Sequence, residues 1–253
     1  MTALPLETAR PTEAPAPGGF EVGYVTEDGV EFRTPLAEAW AAPFEGCLPA
    51  RRFTARKGQQ HLSGLWWSAT TGGHVGYESW LERDHLMLLD FGPAIVGIAS
   101  QPFRLHWHET GGMVTHVPDF FARRSDGSAI LIDCRPVERR PPRDVAKFEA
   151  TARACALLEW DYRLVAAPDM IVTANVRWLS GYRHPRHMQR TVAAVLREVF
   201  ATPTPLLAGA QAAGEPIAAL PVLFHLLWYG ELTADLSVPL HEGTTVRVAA
   251  EDR

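Results

Sequence analysis

Cysteine and lysine are scarce in this sequence, and long apolar runs are missing from it. The three cysteines, Cys47, Cys134 and Cys155, lie far apart and form no Cys-x-x-Cys pair, which argues against a disulfide framework and against a zinc site. No apolar run reaches the length of a transmembrane helix, and the N-terminus lacks the pattern of a signal peptide. We therefore expect a cytoplasmic protein with reduced thiols and no membrane contact.

The charge balance excludes a general binder of polyanions. The formal net charge is −5, so any contact with nucleic acid must come from local patches of the surface. The only lysines are Lys57 and Lys147, and arginine carries nearly all of the positive charge. One basic patch consists of Arg51, Arg52, Arg56 and Lys57, and it is either a solvated loop or an arm that contacts phosphates.

Length and composition indicate a globular protein with one large domain, or with one domain and a smaller one. The chain has 253 residues, of which 47% are hydrophobic and 21% charged, enough for a sizeable core. Its composition divides it into a disordered tail (1–19), an N-terminal extension (20–73), an α/β core with trailing helices (74–201), a linker (202–216) and a C-terminal module (217–253). The C-terminal module fits either a winged-helix-like unit or a helical cap packed on the core.

Two aspartates lie on neighbouring strands of a predicted β-hairpin. Residues 116–136 contain two apolar runs joined by Ser-Asp-Gly-Ser, which is a strong hairpin signal. Asp119 is placed on the first strand and Asp133 on the second, each among apolar neighbours. A buried carboxylate is unfavourable unless it meets a charge. The pair therefore predicts a shared cation, and the alternative is that each aspartate pairs with a nearby arginine or ends its strand.

The residues around these two acids follow a known pattern. Pro118-Asp119 on the first strand and Asp133-Cys134-Arg135 on the second resemble the PD-(D/E)xK nuclease signature, with arginine at the position of the usual lysine. The signature is short, so its weight depends on the elements that surround it.

The predicted order of elements is helix, strand, strand, strand, helix, strand. This order resembles the core of the restriction-endonuclease-like fold, an α/β fold whose mixed central sheet is flanked by helices. The first helix carries Glu78 and Glu82, which lie on one face because they are four residues apart. Four predicted segments matter below: a helix at 74–91, a strand at 113–121, the linker at 202–216 and a short helix at 233–236.

The span 66–186 resembles the TnsA family, the endonuclease subunit of heteromeric transposases. The resemblance covers roughly half of the chain well. It rests on six segments, at residues 76–82 (Gly-Tyr-Glu-Ser-Trp-Leu-Glu), 100–103 (Ser-Gln-Pro-Phe), 117–120 (Val-Pro-Asp-Phe), 132–136 (Ile-Asp-Cys-Arg-Pro), 160–162 (Trp-Asp-Tyr) and 175–179 (Asn-Val-Arg-Trp-Leu).

The resemblance implies a catalytic centre, a cofactor and partners. Carried over by position, the metal ligands are Glu82 (with Glu78 as the alternative), Asp119 and Asp133, and Arg135 takes the position of the catalytic lysine. The implied cofactor is Mg²⁺, for which Mn²⁺ can substitute. The implied partners are double-stranded DNA at the transposon ends, a DDE-type transposase and an AAA+ ATPase regulator. The family cuts the 5′ ends of the mobile element.

Arg135 decides between two versions of this function. An arginine stays protonated and cannot act as a base, but its fork can stabilise a charged phosphate. The first hypothesis is therefore an active Mg²⁺-dependent DNA endonuclease in which the metal activates the water. The alternative is a catalytically impaired DNA-binding or assembly subunit that docks the transposase and the ATPase. Lys147 replaces the missing lysine only if its helix points back at the site.

Overall fold

The computed structural model describes residues 19–51 and 63–250. Within these ranges the chain forms a mixed α/β fold with four sheets and six α-helices, so the α/β prediction is confirmed at that level. The predicted tail at 1–19, apart from Gly19, lies outside the described residues, as do Arg52, Arg56 and Lys57 of the basic patch.

The described residues form thirteen strands and six α-helices. The strands are β1 (Phe20–Val25), β2 (Glu31–Pro35), β3 (Gly64–Trp67), β4 (His74–Tyr77), β5 (Ile95–Ser100), β6 (Arg104–Glu109), β7 (Gly112–His116), β8 (Phe120–Arg124), β9 (Ala129–Cys134), β10 (Asp161–Val165), β11 (Thr204–Pro205), β12 (Leu232–Ala234) and β13 (Thr245–Val248). The helices are α1 (Trp80–Phe91), α2 (Pro142–Leu157), α3 (Met170–Ser180), α4 (Arg190–Val199), α5 (Leu206–Ala213) and α6 (Pro216–Trp228).

The central sheet has the strand order β10-β9-β8-β5, and every residue of β9 is buried. Strands β5, β8 and β9 are antiparallel neighbours, whereas β10 runs parallel to β9. Side chains alternate between the faces of β9, since successive residues of a strand point in opposite directions. Ile130 and Ile132 pack in one core cluster with Leu86 of α1, and Leu131 packs in another with Ala154 of α2. Helices therefore cover both faces, as a strand that is buried on both faces requires.

The predicted hairpin is confirmed as β8 and β9. The turn between them places Gly127 at φ +86°, a conformation that glycine adopts without steric cost. The backbone N–H of Arg124 donates to the carbonyl of Ser128 at 2.9 Å, and the carboxylate of Asp126 accepts from the N–H of Ser128 at 2.8 Å. The Asp-Gly turn thus sets the register that places Phe120 opposite Ile132.

The strand predicted for 113–121 is wrong as a single element. Strand β7 belongs to a second sheet of order β2-β1-β6-β7, while β8 lies in the central sheet. The break falls at residues 117–119, where Pro118 lacks the N–H that a continuous ladder would need. Asp119 therefore lies at the point where the chain passes from one sheet to the other.

The helix predicted for 74–91 is correct only from Trp80 onward. Residues His74–Tyr77 form β4, which pairs with β3. Ser79 ends the extended segment and caps α1, because its side chain accepts a hydrogen bond from the backbone N–H of Glu82. The periodicity of the apolar residues did not reveal this change from strand to helix.

The C-terminal unit, residues 190–250, runs in the order α4, β11, α5, α6, β12, β13, with a sheet of order β11-β13-β12. The linker predicted for 202–216 is wrong, because it contains β11 and α5. Leu206 and Ala210 are buried, and Gly209 lies so close to the ring of Phe200 that a Cβ would stand 2.2 Å from it. The glycine that resembled a linker residue serves close helix packing.

The helix predicted for 233–236 is also wrong, since β12 lies there as a strand paired with β13. Helix α6 is buried from Val222 to Trp228 and packs against α3, α4, α5 and β12. Among the described residues, no single helix has both the length and the apolar character needed to cross a membrane.

Candidate active site

Asp119 lies where β8 and β9 separate. Its backbone N–H donates to the carbonyl of Ile132 at 3.1 Å, and its Oδ2 accepts from the N–H of Cys134 at 2.7 Å. The carboxylate thus takes the place that a backbone carbonyl would hold in a continued ladder. The residue is 7% exposed, so its charge is largely withdrawn from water. Among the described residues, hydrogen bonds reach this carboxylate only through Oδ2.

Glu82 reaches the site from the first turn of α1 and forms a capping box with Ser79. Its Oε1 accepts from the hydroxyl of Ser79 at 2.9 Å, and its Oε2 accepts from the N–H of Glu78 at 2.7 Å. The N–H of Glu82 donates back to the Ser79 hydroxyl at 3.2 Å. This reciprocal arrangement stabilises the helix start. It also means that both oxygens of Glu82 already accept hydrogen bonds.

Glu78 is placed differently from Glu82. Its carboxylate pairs with Arg51 at 2.5 Å, and its side chain is 25% exposed. Arg51 is the one described member of the predicted basic patch. The negative charge of Glu82, by contrast, acts on Asp119. Of the two alternatives, the structure brings Glu82 to the acid cluster and gives Glu78 an arginine partner.

Asp133 is 1% exposed and is held by two side chains that the sequence did not single out. Nε2 of His116, at the end of β7, lies 2.9 Å from both carboxylate oxygens. The hydroxyl of Tyr162, on β10, donates to Oδ2 at 2.8 Å. The alternative of an arginine partner for Asp133 is therefore wrong: its partners are a histidine and a tyrosine.

Burial and two neighbouring acids act on the carboxyl group of Asp119. Burial raises the pKa of Asp119 well above its usual value, and the negative charges of Asp133 and Glu82 raise it further. The N–H of Cys134 and the charge of Arg135 act in the opposite direction but do not cancel this effect. Burial also raises the pKa of Glu82. Like charges that are gathered in a buried place are stabilised by a proton or by a cation.

Arg135 follows β9 directly and lies beside this cluster. Its N–H donates to the carbonyl of Val165 at 2.8 Å, which continues the parallel pairing with β10. The side chain is half-buried, its guanidinium carbon lies 6.0 Å from the centre of the Phe148 ring, and its charge lowers the pKa of Asp119. Within the described ranges, Arg135 forms no salt bridge and its Nε lacks a hydrogen-bond partner.

Lys147 does not join the acids. It lies half-buried on α2, and no ion pair connects it to an acid anywhere in residues 19–51 or 63–250. The structure therefore offers no support for Lys147 as the replacement of the missing lysine.

The predicted cage of three carboxylates is not formed by the side chains as they stand. No group of three or more His, Cys, Asp or Glu residues among those described has the arrangement of a metal site. Glu82 and Asp133 use their oxygens within the protein, whereas Asp119 uses one. Mg²⁺ is commonly held by one or two carboxylates together with substrate phosphates and water. Within the described part of the chain, Asp119 has one carboxylate oxygen without a hydrogen bond and lies near the negative charges of Asp133 and Glu82, which suits this simpler mode of metal binding.

No protein-family model matches this chain, and no curated protein matches it.

Proposed function

We propose that this chain is a metal-dependent DNA endonuclease, a TnsA-like subunit that cuts the 5′ ends of a mobile element. The observation that carries the proposal is the buried cluster of Glu82, Asp119 and Asp133 beside Arg135, where β8 and β9 separate. Apolar packing alone has no use for three buried acids, since each is costly to bury. A phosphodiesterase needs them to hold a cation next to the substrate.

The topology supports a PD-(D/E)xK core. Its elements follow in the order α1, β5, β8, β9, α2, β10, with three antiparallel strands and a fourth that is parallel to its neighbour. Strands β6 and β7 belong to the second sheet, although they lie between β5 and β8 in the sequence. They therefore form an insertion between the first two core strands. Asp119 directly precedes the second core strand and Asp133 lies on the third, the order in which the signature carries its two acids.

The residues of the site can divide the chemistry between them. Asp119 would hold a divalent cation, with Glu82 or Asp133 as a second carboxylate once it exchanges a hydrogen bond for the metal. Bound Mg²⁺ neutralises charge on the phosphate and lowers the pKa of a water molecule. Arg135 stays charged, so its role is to stabilise the phosphate by charge-assisted hydrogen bonds. Attack by water then expels the 3′ oxygen and leaves a 5′ phosphate.

The C-terminal unit is better suited to docking protein partners than to recognising a DNA sequence. Its order of helices and strands, and its strand order β11-β13-β12, match those of a winged helix. In DNA-binding members of that class the last helix enters the major groove. Here the corresponding helix, α6, is buried over Val222–Trp228 and carries no lysine or arginine. We assign DNA contact to the nuclease core, and docking of the transposase and of the AAA+ ATPase to the C-terminal unit.

One observation favours the second candidate, an impaired subunit that binds without cutting. Arg135 occupies the position of the expected lysine, and both oxygens of Asp133 already have hydrogen-bond partners in His116 and Tyr162. Replacement of Arg135 by lysine separates the two candidates in a plasmid-nicking assay with Mn²⁺. If the wild type is active, its nicking rate and that of Arg135→Lys differ by no more than about tenfold. If the wild type is impaired, the restored acid–base group makes the variant roughly a hundredfold or more faster.

Calorimetric titration with Mn²⁺ tests the site itself. We expect wild type to bind the ion and Asp119→Ala to lose binding, because Asp119 is the central ligand. The matched control is Asp126→Ala, which removes an exposed acid from the turn of the same hairpin and leaves binding intact. If wild type and Asp119→Ala bind Mn²⁺ equally, the proposed metal site is wrong.

A further inference from the structure

Unused hydrogen-bonding capacity is concentrated at the acid cluster. Among the described residues, four buried side-chain atoms lack a hydrogen-bond partner: Oγ of Ser100, Oε1 and Nε2 of Gln101, and Nε of Arg135. Ser100 and Gln101 lie at the end of β5, next to the start of β8, and Arg135 follows β9. All four atoms therefore belong to residues that adjoin Asp119. Buried polar groups are normally paired, so such a concentration indicates a polar partner from outside the chain, which an ordered water or a ligand can supply.

Gln101 is the strongest case among these residues. It is 1% exposed, yet neither atom of its carboxamide has a partner in the described part of the chain. It lies directly across from Asp119, because its backbone N–H donates to the carbonyl of Asp119 at 2.9 Å. That pair follows the Ser100–Phe120 pair with which the ladder between β5 and β8 ends.

The backbone holds Gln101 in an unusual conformation. Its φ is +50°, in the left-handed region that residues other than glycine, asparagine and aspartate rarely adopt. Both backbone groups are satisfied, since the carbonyl accepts from the N–H of Ala50 at 2.7 Å and the N–H is bonded to Asp119. The strained backbone and the buried unpaired amide each lower the stability of the folded state. Such features cluster at functional sites.

We propose that Gln101 is a substrate-contacting residue, whose Nε2 donates a hydrogen bond to a DNA phosphate oxygen bound beside Asp119. The inference rests on the proposed nuclease function and adds a residue to its site. A neutral amide suits this place, because it offers a donor to the phosphate without competing with the cation for the carboxylates. Arg135 supplies the second donor, from the neighbouring side of the cluster.

The test replaces Gln101 by methionine, which keeps the size of the side chain and removes its polarity. Wild type and variant are compared in binding to a fluorescein-labelled DNA duplex with Ca²⁺, which supports binding without cleavage, and in thermal unfolding without DNA. Gln101→Gly is the second variant, since glycine accepts the left-handed backbone and also lacks the amide. Gln211→Met makes the same substitution at an exposed position of α5 and serves as the control.

We expect both Gln101 variants to bind DNA roughly tenfold more weakly, as loss of a hydrogen bond to a charged oxygen implies. The unfolding midpoint of Gln101→Met stays equal to that of wild type or rises, because no internal hydrogen bond is lost. In Gln101→Gly the relief of backbone strain opposes the loss of buried side-chain contacts, so this variant is judged by DNA binding alone. The Gln211→Met control changes neither quantity. A lower midpoint for Gln101→Met overturns the inference, because it shows that the amide was paired inside the protein. An unchanged dissociation constant overturns it as well.

The same measurements separate this inference from the proposed function. If Asp119→Ala loses Mn²⁺ while Gln101→Met keeps wild-type binding of DNA, only the role of Gln101 is wrong. If wild type binds neither Mn²⁺ nor the duplex, the proposed function fails, and the role of Gln101 fails with it.

Discussion

The site at the central sheet and the C-terminal unit treat buried polar groups in opposite ways. In the C-terminal unit, His225 is bonded through Nδ1 to the carbonyl of Tyr182 at 2.7 Å, and the hydroxyl of Thr244 accepts from the N–H of His241 at 2.9 Å. At the site, Gln101 leaves its amide unpaired and Asp119 lies among like charges. The first region pairs its buried polar groups, whereas the second leaves some of them without a partner among the described residues.

Asn175 of α3 illustrates the first kind of arrangement. Its side-chain amide donates to the carbonyls of Leu236 and Val238 at 2.9 and 2.7 Å, and its oxygen accepts from the N–H of Leu240 at 3.0 Å. A single buried amide thereby holds the loop between β12 and β13 against the rest of the protein. Gln101 has the same functional group and a lower exposure, but its amide has no partner among the described residues.

The largest effect should come from the core of the C-terminal unit. Leu223 is fully buried on α6, and Leu223→Ala should lower the free energy of unfolding by about 2–5 kcal/mol, because it removes apolar contacts and leaves a cavity. Ile217→Ala, on the same helix at 87% exposure, should change it little. Urea denaturation measures both variants. Equal effects of the two substitutions would show that α6 does not carry the core.

A pair of tyrosines compares the two regions directly. Tyr162→Phe removes a hydroxyl that donates to the carboxylate of Asp133, and should cost about 1.5–3 kcal/mol of stability, the range for hydrogen bonds to charged groups. Tyr229→Phe removes a hydroxyl that donates to the neutral carbonyl of Arg183 at 3.0 Å, and should cost about 0.5–1.5 kcal/mol.

Urea denaturation at pH 7 ranks the two tyrosine variants. If Tyr229→Phe is the more damaging of the two, the hydrogen bond from Tyr162 to the side chain of Asp133 does not make the expected contribution to stability.

The smallest effect is a change in the pH dependence of stability. The folded state raises the pKa of Asp119 above the value of about 3.9 in an unfolded chain, chiefly by burial. Between these two pKa values the folded state binds more protons than the unfolded state, so this group makes the protein more stable as the pH falls. We expect Asp119→Asn to lose that part of the slope in urea denaturation between neutral pH and about pH 4.

Asp126 provides a control of opposite sign. Hydrogen bonds from Ser128 lower the pKa of Asp126, so its contribution is present above the unfolded pKa and is lost as the pH falls. Asp126→Asn should therefore remove a small stabilisation at neutral pH and leave the Asp119 slope in place. A wild-type profile that Asp119→Asn leaves unaltered would contradict the raised pKa of that carboxyl.

Some parts of the site could be predicted because they depend on near neighbours in the chain. The Asp-Gly turn defines the β8–β9 hairpin, and the hairpin brings Asp119 and Asp133 to adjacent strands. The Ser79–Glu82 pair defines the start of α1 through a capping box, although the periodicity alone placed that start too early. The linker prediction was wrong because small residues occur in tightly packed helices as well as in flexible loops. Gly209 is a case of tight packing, since it lies against the ring of Phe200.

Local patterns were sufficient to predict the hairpin, the Pro-Asp step and the acids next to them, because turn chemistry and periodicity act over a few residues. The groups that meet those acids come from distant parts of the chain, so they could be identified only from the fold. His116 comes from a strand of another sheet and Tyr162 from a parallel strand that follows α2, so no local pattern links either to Asp133. The unpaired amide of Gln101 is likewise a property of its surroundings, since pairing depends on packing around a residue and not on its neighbours in the chain.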